Sequence, residues 1–491
     1  MTGPDPATAM AAAAAATSTA AATATALLPR SLDSYGIEPS GLLELLKARA
    51  QAEPMNVAAT AIFFLAVLHT FLAPKLLVLS HHMVERAEKE EKEGEGPGGA
   101  RFLAGVLHFF GEIEVVFGIW CLPLFAAIGY FHGQKAAATY LGSTVDYTEA
   151  LFVVVIMAIA ATAPILQLAE DLLGLFARLL GGSPLAWWGT ILVVGPLLGS
   201  FVTEPAAMTI CALLLCRTFF PRGPSTVLRY ATLGLLFVNV SIGGTLTHFA
   251  APPVLMVAGK WGWGMAEMLR MFGAKAAAAI VVATLLHAAV FWKEFARLGK
   301  VEPPAPAEGE GPSRRIPFWV VLVHVLFIAF TVYTSHYPAL FIGGFFFFLG
   351  FTEAAGKASG EVDLRPPLLV GFFLAALVIH GGLQGWWIAP VIGSLGERAL
   401  FAGSLVLTAF NDNAAITYLG TLVKGLPDVS KYMLVAGAVA GGGLTVIANA
   451  PNLAGVGLLR KWYPDKAISP GGLLLGALAP TLLAAAAFLL L

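Results

Sequence analysis

The sequence reads GGGLTVIANAP from Gly441 to Pro451, in the middle of a long hydrophobic stretch. A related motif, GGTLTHFAAPP, occupies residues 243–253 of the first half of the chain. Glycine frees the backbone and proline removes a hydrogen-bond donor, so both motifs interrupt a helix and leave carbonyl oxygens unpaired. Hydrocarbon tolerates such backbone only where it is buried in protein or lines a wet cavity. The motifs therefore predict two broken membrane helices, 226–258 and 431–459, whose free carbonyls suit a cation.

A second pair of motifs precedes the first pair in each half. EPAAMT at 204–209 aligns with DNAAIT at 412–417, residue for residue. Each lies at the centre of a hydrophobic stretch, 185–220 or 399–424, and each half of these stretches is short for a membrane-spanning helix. We therefore predict two re-entrant hairpins with the polar motifs at their tips. Two matched motifs in the same order favour a repeated functional element over small-residue helix packing, which either motif alone would suggest.

The composition indicates an integral membrane protein. Of the 491 residues, 58% are hydrophobic and only 12% are charged, whereas soluble domains have about 25% charged residues. The net charge of −1 excludes a nucleic-acid binder that depends on electrostatic attraction. The three cysteines, Cys121, Cys211 and Cys216, lie in apolar runs without the spacing of a zinc site or a disulfide framework.

Enzyme motifs are absent from the sequence. It contains no HExxH zinc pair and no GxSxG nucleophile elbow. We therefore predict that the protein is not an enzyme and needs no cofactor.

Ten stretches are predicted to cross the membrane, because a crossing helix needs about 20 apolar residues. They are approximately 56–79, 102–130, 147–166, 226–258, 272–294, 316–334, 338–354, 366–391, 431–459 and 470–491. Each half then has five crossings and one hairpin, and because five is odd the second half is inverted relative to the first. The predicted fold is an all-α integral membrane protein: an inverted-repeat transporter whose hairpin tips meet near the middle of the bilayer.

The predicted organisation has four parts. Residues 1–55 form an Ala/Thr-rich tail and a helix that lies at the membrane surface or, equally, serves as a solvated linker. The first repeat spans 56–295, a cytoplasmic Pro/Gly/charge-rich linker spans 296–315, and the second repeat spans 316–491. Most Lys and Arg residues of the loops fall on one predicted side, which the positive-inside rule makes cytoplasmic. Both termini are therefore predicted on the periplasmic side of an inner membrane.

In these motifs the chain resembles the ion transporter superfamily and, within it, a putative sodium/proton antiporter family. The resemblance rests on the polar hairpin tips and on GGGLTVIANAPN at 441–452, and its architecture extends from about residue 56 to residue 491. It implies exchange of Na+ (or Li+) for H+ by an elevator mechanism, in a homodimer with a scaffold domain and a moving transport domain. The first half departs from the usual pattern of the superfamily: Thr203-Glu204-Pro205 stands where many relatives carry a Ser-Asn-Thr type tip, and Val254 stands where an Asn is usual.

The hairpin tips each carry a carboxylate, Glu204 and Asp412. A charge at the bilayer centre costs about 2.5 kcal/mol or more, so buried acids there indicate function. Pro205 predicts a helix that begins directly after Glu204, and Asp412 is a natural N-cap. Helix N-termini attract anions, but here the protein's own carboxylates occupy them, which favours a hard cation as the cargo. We predict that Na+ and H+ compete for these two acids.

Neutral oxygen donors complete the predicted site. The candidates are Asn411, Asn413, Asn449 and Asn452, with Thr247 and Thr445 as weaker ones. Thr209 and Thr417 are expected instead to bond back to their own helical turn.

Two further residues are candidate proton relays. His248 follows Thr247, although a neutral packed histidine is the alternative. Glu112 lies in HFFGEIE at 108–114 and could pair with His69, either in a second proton path or in a structural ion pair of the scaffold.

The sequence also allows a second class of substrate, an anion. A Na+- or H+-coupled transporter of carboxylates or oxyanions would use the acids for the coupling ion only and needs a cationic side chain near the tips. Arg217 and Lys424 lie instead at the far ends of the hairpin arms.

Overall fold

The structure is a computed structural model that describes residues 28–36, 41–92, 99–299 and 315–491. It divides into two compact units: Met1–Asp146 with Val378–Trp387, and Tyr147–Leu377 with Ile388–Leu491. Within the described residues all regular elements are helices. Residues 1–27 and 37–40 of the predicted segment 1–55 and most of the predicted linker lie outside the described residues. The start of that linker belongs to a helix, Trp292–Leu298.

The first unit is built on one long helix. Its helices are α1 (Leu42–Ala52), α2 (Pro54–Lys92), α3 (Gly99–Gly111), α4 (Ile113–His132) and α5 (Gln134–Thr139). Helices α3 and α4 both pack along α2. Gly111 allows α3 to approach α2 closely, since a Cβ there would lie 2.8 Å from the Leu77 side chain.

The remaining helices include every element of the candidate site. They are α6 (Thr148–Ala160), α7 (Ala163–Leu179), α8 (Pro184–Val202), α9 (Glu204–Thr218), α10 (Thr226–Gly243), α11 (Pro252–Trp261), α12 (Met265–Met268), α13 (Ala274–Val290), α14 (Trp292–Leu298), α15 (Phe318–Tyr333), α16 (Pro338–Ala355), α17 (Arg365–Gly382), α18 (Gly385–Gly393), α19 (Glu397–Thr408), α20 (Asn413–Thr421), α21 (Asp428–Gly441), α22 (Pro451–Leu459) and α23 (Pro470–Leu490). Helices α17 and α18 contribute residues to both units.

Single unbroken helices account for fewer crossings than the ten predicted, which include the two broken helices 226–258 and 431–459. In the described part of the chain, eight helices are long and apolar enough to cross a membrane, or nine if 134–144 and 148–160 count as one bent span. The stretch 102–130 is broken at Glu112, and 147–166 is broken after Ala160. Hydropathy misses such breaks because the apolar run continues through them.

The predicted interruptions at the two motif pairs are confirmed. Helix α10 ends at Gly243 and α11 begins at Pro252, while α21 ends at Gly441 and α22 begins at Pro451. Each hairpin likewise consists of two helices that meet at its polar motif. One expectation is wrong: the first arm, α8, has 19 residues and is long enough to cross a membrane, so arm length does not support a re-entrant hairpin there.

In the first half, the second part of α8 and the first residue of α9 contact α10 and the unwound segment after it at four positions spaced by one turn. The contacts pair Leu192 with Asn239, Pro196 with Gly243, Ser200 with Thr247 and Glu204 with Ala250. Proline at 196 cannot donate to the Leu192 carbonyl four residues earlier, and the Asn239 Nδ2 atom donates to that carbonyl at 2.8 Å instead. The hairpin and the broken helix are therefore joined over the three turns between Leu192 and Glu204.

The second half has the same four contacts. They pair Phe401 with Gly437, Leu405 with Gly441, Ala409 with Thr445 and Asn413 with Ala448. In both halves the paired hairpin residues are spaced by four, which is close to one helical turn of 3.6 residues. We call each of these rows of contacts a contact ladder.

Candidate cation-binding site

The first hairpin turns at Thr203, directly before Glu204. Thr203 has φ = 107°, a conformation that a β-branched residue adopts rarely and at a cost of about 1–3 kcal/mol. Helix α9 begins at Glu204 itself, one residue earlier than predicted, with Pro205 at its second position. Strain of this kind is found where the surrounding structure imposes it, commonly at functional sites.

The Glu204 side chain is wholly buried, with 0% exposed. Its Oε2 atom accepts a hydrogen bond of 3.1 Å from Asn449 Nδ2, and its Oε1 atom has no partner. Among the described residues no basic side chain pairs with Glu204. A buried acid with one free oxygen and no cationic partner is costly unless a proton or a cation occupies it.

Asp412 sits one residue before α20 and is anchored differently. As predicted, it is the N-cap: Oδ1 accepts from the Ala414 backbone N–H at 2.8 Å. Oδ2 accepts from the Ala450 N–H at 3.0 Å. Because Glu204 bonds Asn449 and Asp412 bonds Ala450, the break before α22 contacts both acids through adjacent residues.

Three of the four predicted asparagines present a buried oxygen that lacks a partner. These oxygens are the Oδ1 atoms of Asn413, Asn449 and Asn452, and all three residues are 0% exposed. The Asn452 Nδ2 atom donates to the Gly442 and Thr445 carbonyls. With Glu204 Oε1, four buried oxygens lack partners, and each such atom costs about 1–3 kcal/mol.

Asn411 is not part of this buried set. It is partly exposed, and its Oδ1 atom accepts from the backbone N–H of its neighbour Asp412 at 2.9 Å. That bond shapes the turn before α20.

The threonines serve mainly to join elements. Thr247 and Thr445 occupy corresponding rungs of the two contact ladders, where each hydroxyl donates to a hairpin carbonyl. The expectation for Thr209 and Thr417 is confirmed, since both donate to carbonyls of their own helices.

The alignment of the two hairpin tips is off by one position. The contact ladders place Glu204 opposite Asn413, because the Glu204 N–H bonds Ala250 and the Asn413 N–H bonds Ala448. Glycines show the same correspondence: a Cβ on Gly244 would lie 2.6 Å from Glu204 Cγ, and one on Gly442 would lie 3.0 Å from Asn413 Nδ2. Asp412 is therefore the counterpart of Thr203. At the equivalent position of the two halves, the first half has the acid Glu204 and the second half has the amide Asn413.

The candidate relay residues are not brought into this cluster by any described contact. His248 is partly buried, its ring packs edge-on to Phe249 and its Nδ1 atom has no partner. Glu112 belongs to the first unit, at the break between α3 and α4.

The expected pairing of His69 with Glu112 is not the one that the histidine makes. Its Nε2 atom bonds the Phe110 carbonyl at 2.9 Å, and its Nδ1 atom accepts from Trp120 Nε1 at 3.1 Å. The pattern of charged residues could not predict Trp120 as the partner of His69, because tryptophan is uncharged.

Residues that the sequence reasoning missed hold the site together. Ser200 accepts from Leu246 N–H and donates to the Gly243 carbonyl. Ser241 donates to the Val439 carbonyl and accepts from Asn413 Nδ2 at 3.5 Å. Both serines lie a few residues before motifs that were recognised, and neither is a letter of those motifs.

No group of three or more His, Cys, Asp or Glu side chains that could hold a metal occurs in the described part of the chain. The cluster offers instead one free acid oxygen, a second acid and three amide oxygens. Oxygen-only sets of this kind suit hard cations rather than transition metals.

Several apolar helices and breaks lined by buried acid and amide oxygens define a multi-pass membrane protein of the ion transporter class. The sequence profile of a family described as "putative Na+/H+ antiporter" matches residues 54–491. The chain belongs to that family, which points to a cation transporter rather than an enzyme and implies Na+ and H+ as its substrates. A search among curated proteins gives no match.

The space beside Glu204 can be tested with a small substitution. We expect Gly244→Ala to raise the Na+ concentration for half-maximal exchange by about tenfold or more, since displaced ligands lose affinity steeply. The new Cβ would lie 2.6 Å from Glu204 Cγ and 2.8 Å from its Oε1 atom. Gly457→Ala is the control, because a Cβ there meets nothing within 4 Å. Equal Na+ dependence in both variants would contradict this placement of Glu204.

Proposed function

We propose that the protein exchanges Na+ (or Li+) for H+ across the membrane, with the two ions competing for the carboxylates Glu204 and Asp412. The observation that carries the proposal is the set of four buried, unpartnered oxygens on Glu204, Asn413, Asn449 and Asn452. A Na+ ion gains oxygen ligands there and removes the cost of leaving those atoms unpaired.

A proton can take the place of the metal ion. When Glu204 is protonated, the new O–H becomes a donor, and unpartnered amide oxygens are the acceptors that a buried donor requires. The negative charge of the site is thus neutralised either by Na+ on the carboxylate or by a proton on the same group. Competition for one group couples the flux of Na+ in one direction to the flux of H+ in the other.

An elevator-like movement is the proposed route across the membrane. The contact ladders support it, because each hairpin and its broken helix are joined at four successive turns and would move as one body. The matching ladders also support an inverted repeat with hairpin tips as its substrate site. A homodimer, an inner-membrane location and periplasmic termini complete the proposal, on the family resemblance and the distribution of basic residues.

The function can be tested in inside-out vesicles that have been acidified by respiration. A pH-sensitive dye should report proton release when NaCl or LiCl is added, and KCl serves as the comparison. If neither salt dissipates the gradient while a carboxylate or oxyanion does, the exchange proposal is wrong.

A further inference from the structure

A groove of about 490 Å³ lies between helices α10, α13 and α23, away from the cation-binding site. Its walls are mainly apolar and include Val290 and Ala479, with the polar groups of Thr226, Tyr230 and His287 among them. Thr226 and Gly472 stand near the starts of α10 and α23, and Val290 is the last residue of α13. The groove therefore lies at the end where these three helices meet one surface of the membrane.

Basic residues surround this end of the three helices. The segments next to it contain seven basic residues and two acidic ones: Arg222, Arg229, Lys293, Arg297, Arg460, Lys461 and Lys466 against Glu294 and Asp465. We call these seven residues the basic rim. Glu294 pairs with Arg297 of the rim at 3.4 Å, and both its oxygens also accept hydrogen bonds from Ser225. Seven basic residues against two acidic ones still leave the rim an excess of positive charge.

Contacts between the segments show that the rim belongs to one place. Arg229 donates to the Trp462 carbonyl, and the Tyr463 hydroxyl donates to the Arg229 carbonyl at 2.9 Å. Arg222 donates to the Leu298 carbonyl at 3.3 Å. The Tyr230 hydroxyl, which lines the groove, accepts from the Ser469 N–H at 3.0 Å.

Two tryptophans mark this end as a membrane–water interface. Lys293 lies over the Trp292 ring and Lys461 over the Trp462 ring, at 5.8 and 5.7 Å from the ring centroids. Tryptophan is enriched where a membrane meets water. An apolar groove below a basic interface is complementary to an amphipathic anion, which has an apolar chain and a negatively charged head.

We propose that this groove binds a phospholipid with an anionic headgroup. One acyl chain lies between α10, α13 and α23, and the headgroup lies among the residues of the basic rim. Basic pockets between transmembrane helices are known to bind anionic lipid headgroups, and a membrane supplies such lipids at high local concentration. The Tyr230 hydroxyl accepts a hydrogen bond from the Ser469 N–H, so its own proton can be donated to a lipid oxygen.

The proposal is tested by native mass spectrometry of the purified full-length protein in detergent with equal amounts of phosphatidylglycerol and phosphatidylcholine. We expect the wild type to retain phosphatidylglycerol preferentially, and excess glycerol phosphate not to displace it, because the acyl chain contributes to binding. Ala479→Trp fills the groove and should lower retention of both lipids by about tenfold or more. Leu478→Trp is its matched control, since Leu478 is 45% exposed and does not line the groove.

A second variant tests the headgroup. Lys293→Gln combined with Lys466→Gln should lower the preference for phosphatidylglycerol over phosphatidylcholine by about tenfold, whereas Lys135→Gln, on the first unit, should leave it unchanged. The double variant decides the question if Ala479→Trp does not fold. Equal retention of the two lipids by the wild type, or the same retention by Ala479→Trp and Leu478→Trp, would overturn the proposal.

Discussion

Glu204→Gln is expected to abolish Na+-dependent proton release in vesicles while leaving the amount of folded protein unchanged. Glutamine keeps the shape of the side chain, but its amide does not titrate as a carboxylate does and has no negatively charged oxygen for Na+. Changes in residues that only support a metal ligand already cost about 10–100-fold, so loss of the ligand itself should reduce the rate by at least about 100-fold. The folded state should not suffer, because the substitution removes a buried charge that has no basic partner.

Glu170→Gln provides the matched control. The Glu170 carboxylate is 34% exposed and pairs with Arg217 at 3.4 Å, and exposed pairs of this kind contribute about 0–1 kcal/mol. Wild-type exchange is expected in this variant. Exchange at the wild-type rate in Glu204→Gln would remove that residue from the mechanism.

Asp412→Asn is also expected to abolish exchange, for a different physical reason. Asparagine is as good an N-cap as aspartate, so α20 should keep its bond from the Ala414 N–H. The amide cannot accept through both terminal atoms, however, and the bond from the Ala450 N–H would be lost together with the negative charge. We therefore expect a folded protein with no measurable exchange in the vesicle assay.

The control for Asp412 is Asp428→Asn at the start of α21. The Asp428 side chain is 90% exposed and bonds Lys431 at 2.7 Å, and its loss should leave exchange unchanged. If Asp412→Asn exchanges ions as the wild type does, the role of Asp412 is that of an N-cap alone.

The sequence predicted the features that depend on local backbone chemistry. Gly243 and Pro252 delimit the first break as expected, and Asp412 caps its helix as expected. Glycine, proline and capping residues affect the backbone of their own turn, so their effect can be predicted from a short sequence motif. The burial of Glu204 followed from its place in an apolar stretch.

The features that depend on a distant neighbour were not predictable in the same way. Alignment of the motifs paired Glu204 with Asp412. The backbone hydrogen bonds instead pair Glu204 with Asn413, because the N–H groups of these two residues donate to equivalent carbonyls of the two broken helices. A shift of one residue turns a helix by about 100°, and sequence similarity alone cannot detect it. In the same way, nothing in the pattern around His69 indicated that Trp120 would occupy its ring nitrogen.

The hydrogen bonds of the site differ widely in the length of chain that they close. The rungs at Thr247 and Thr445 join residues 47 and 36 positions apart, whereas the bond from Asn449 to Glu204 spans 245 positions. Closing a long loop costs more chain entropy than closing a short one, so contacts between distant residues form after local contacts. During synthesis each hairpin can therefore meet its own broken helix soon after both are made. The proposed ion site is complete only after Asn449 and Asn452 of the second half have been made, so the nascent chain gains the ability to bind the ion late in its synthesis.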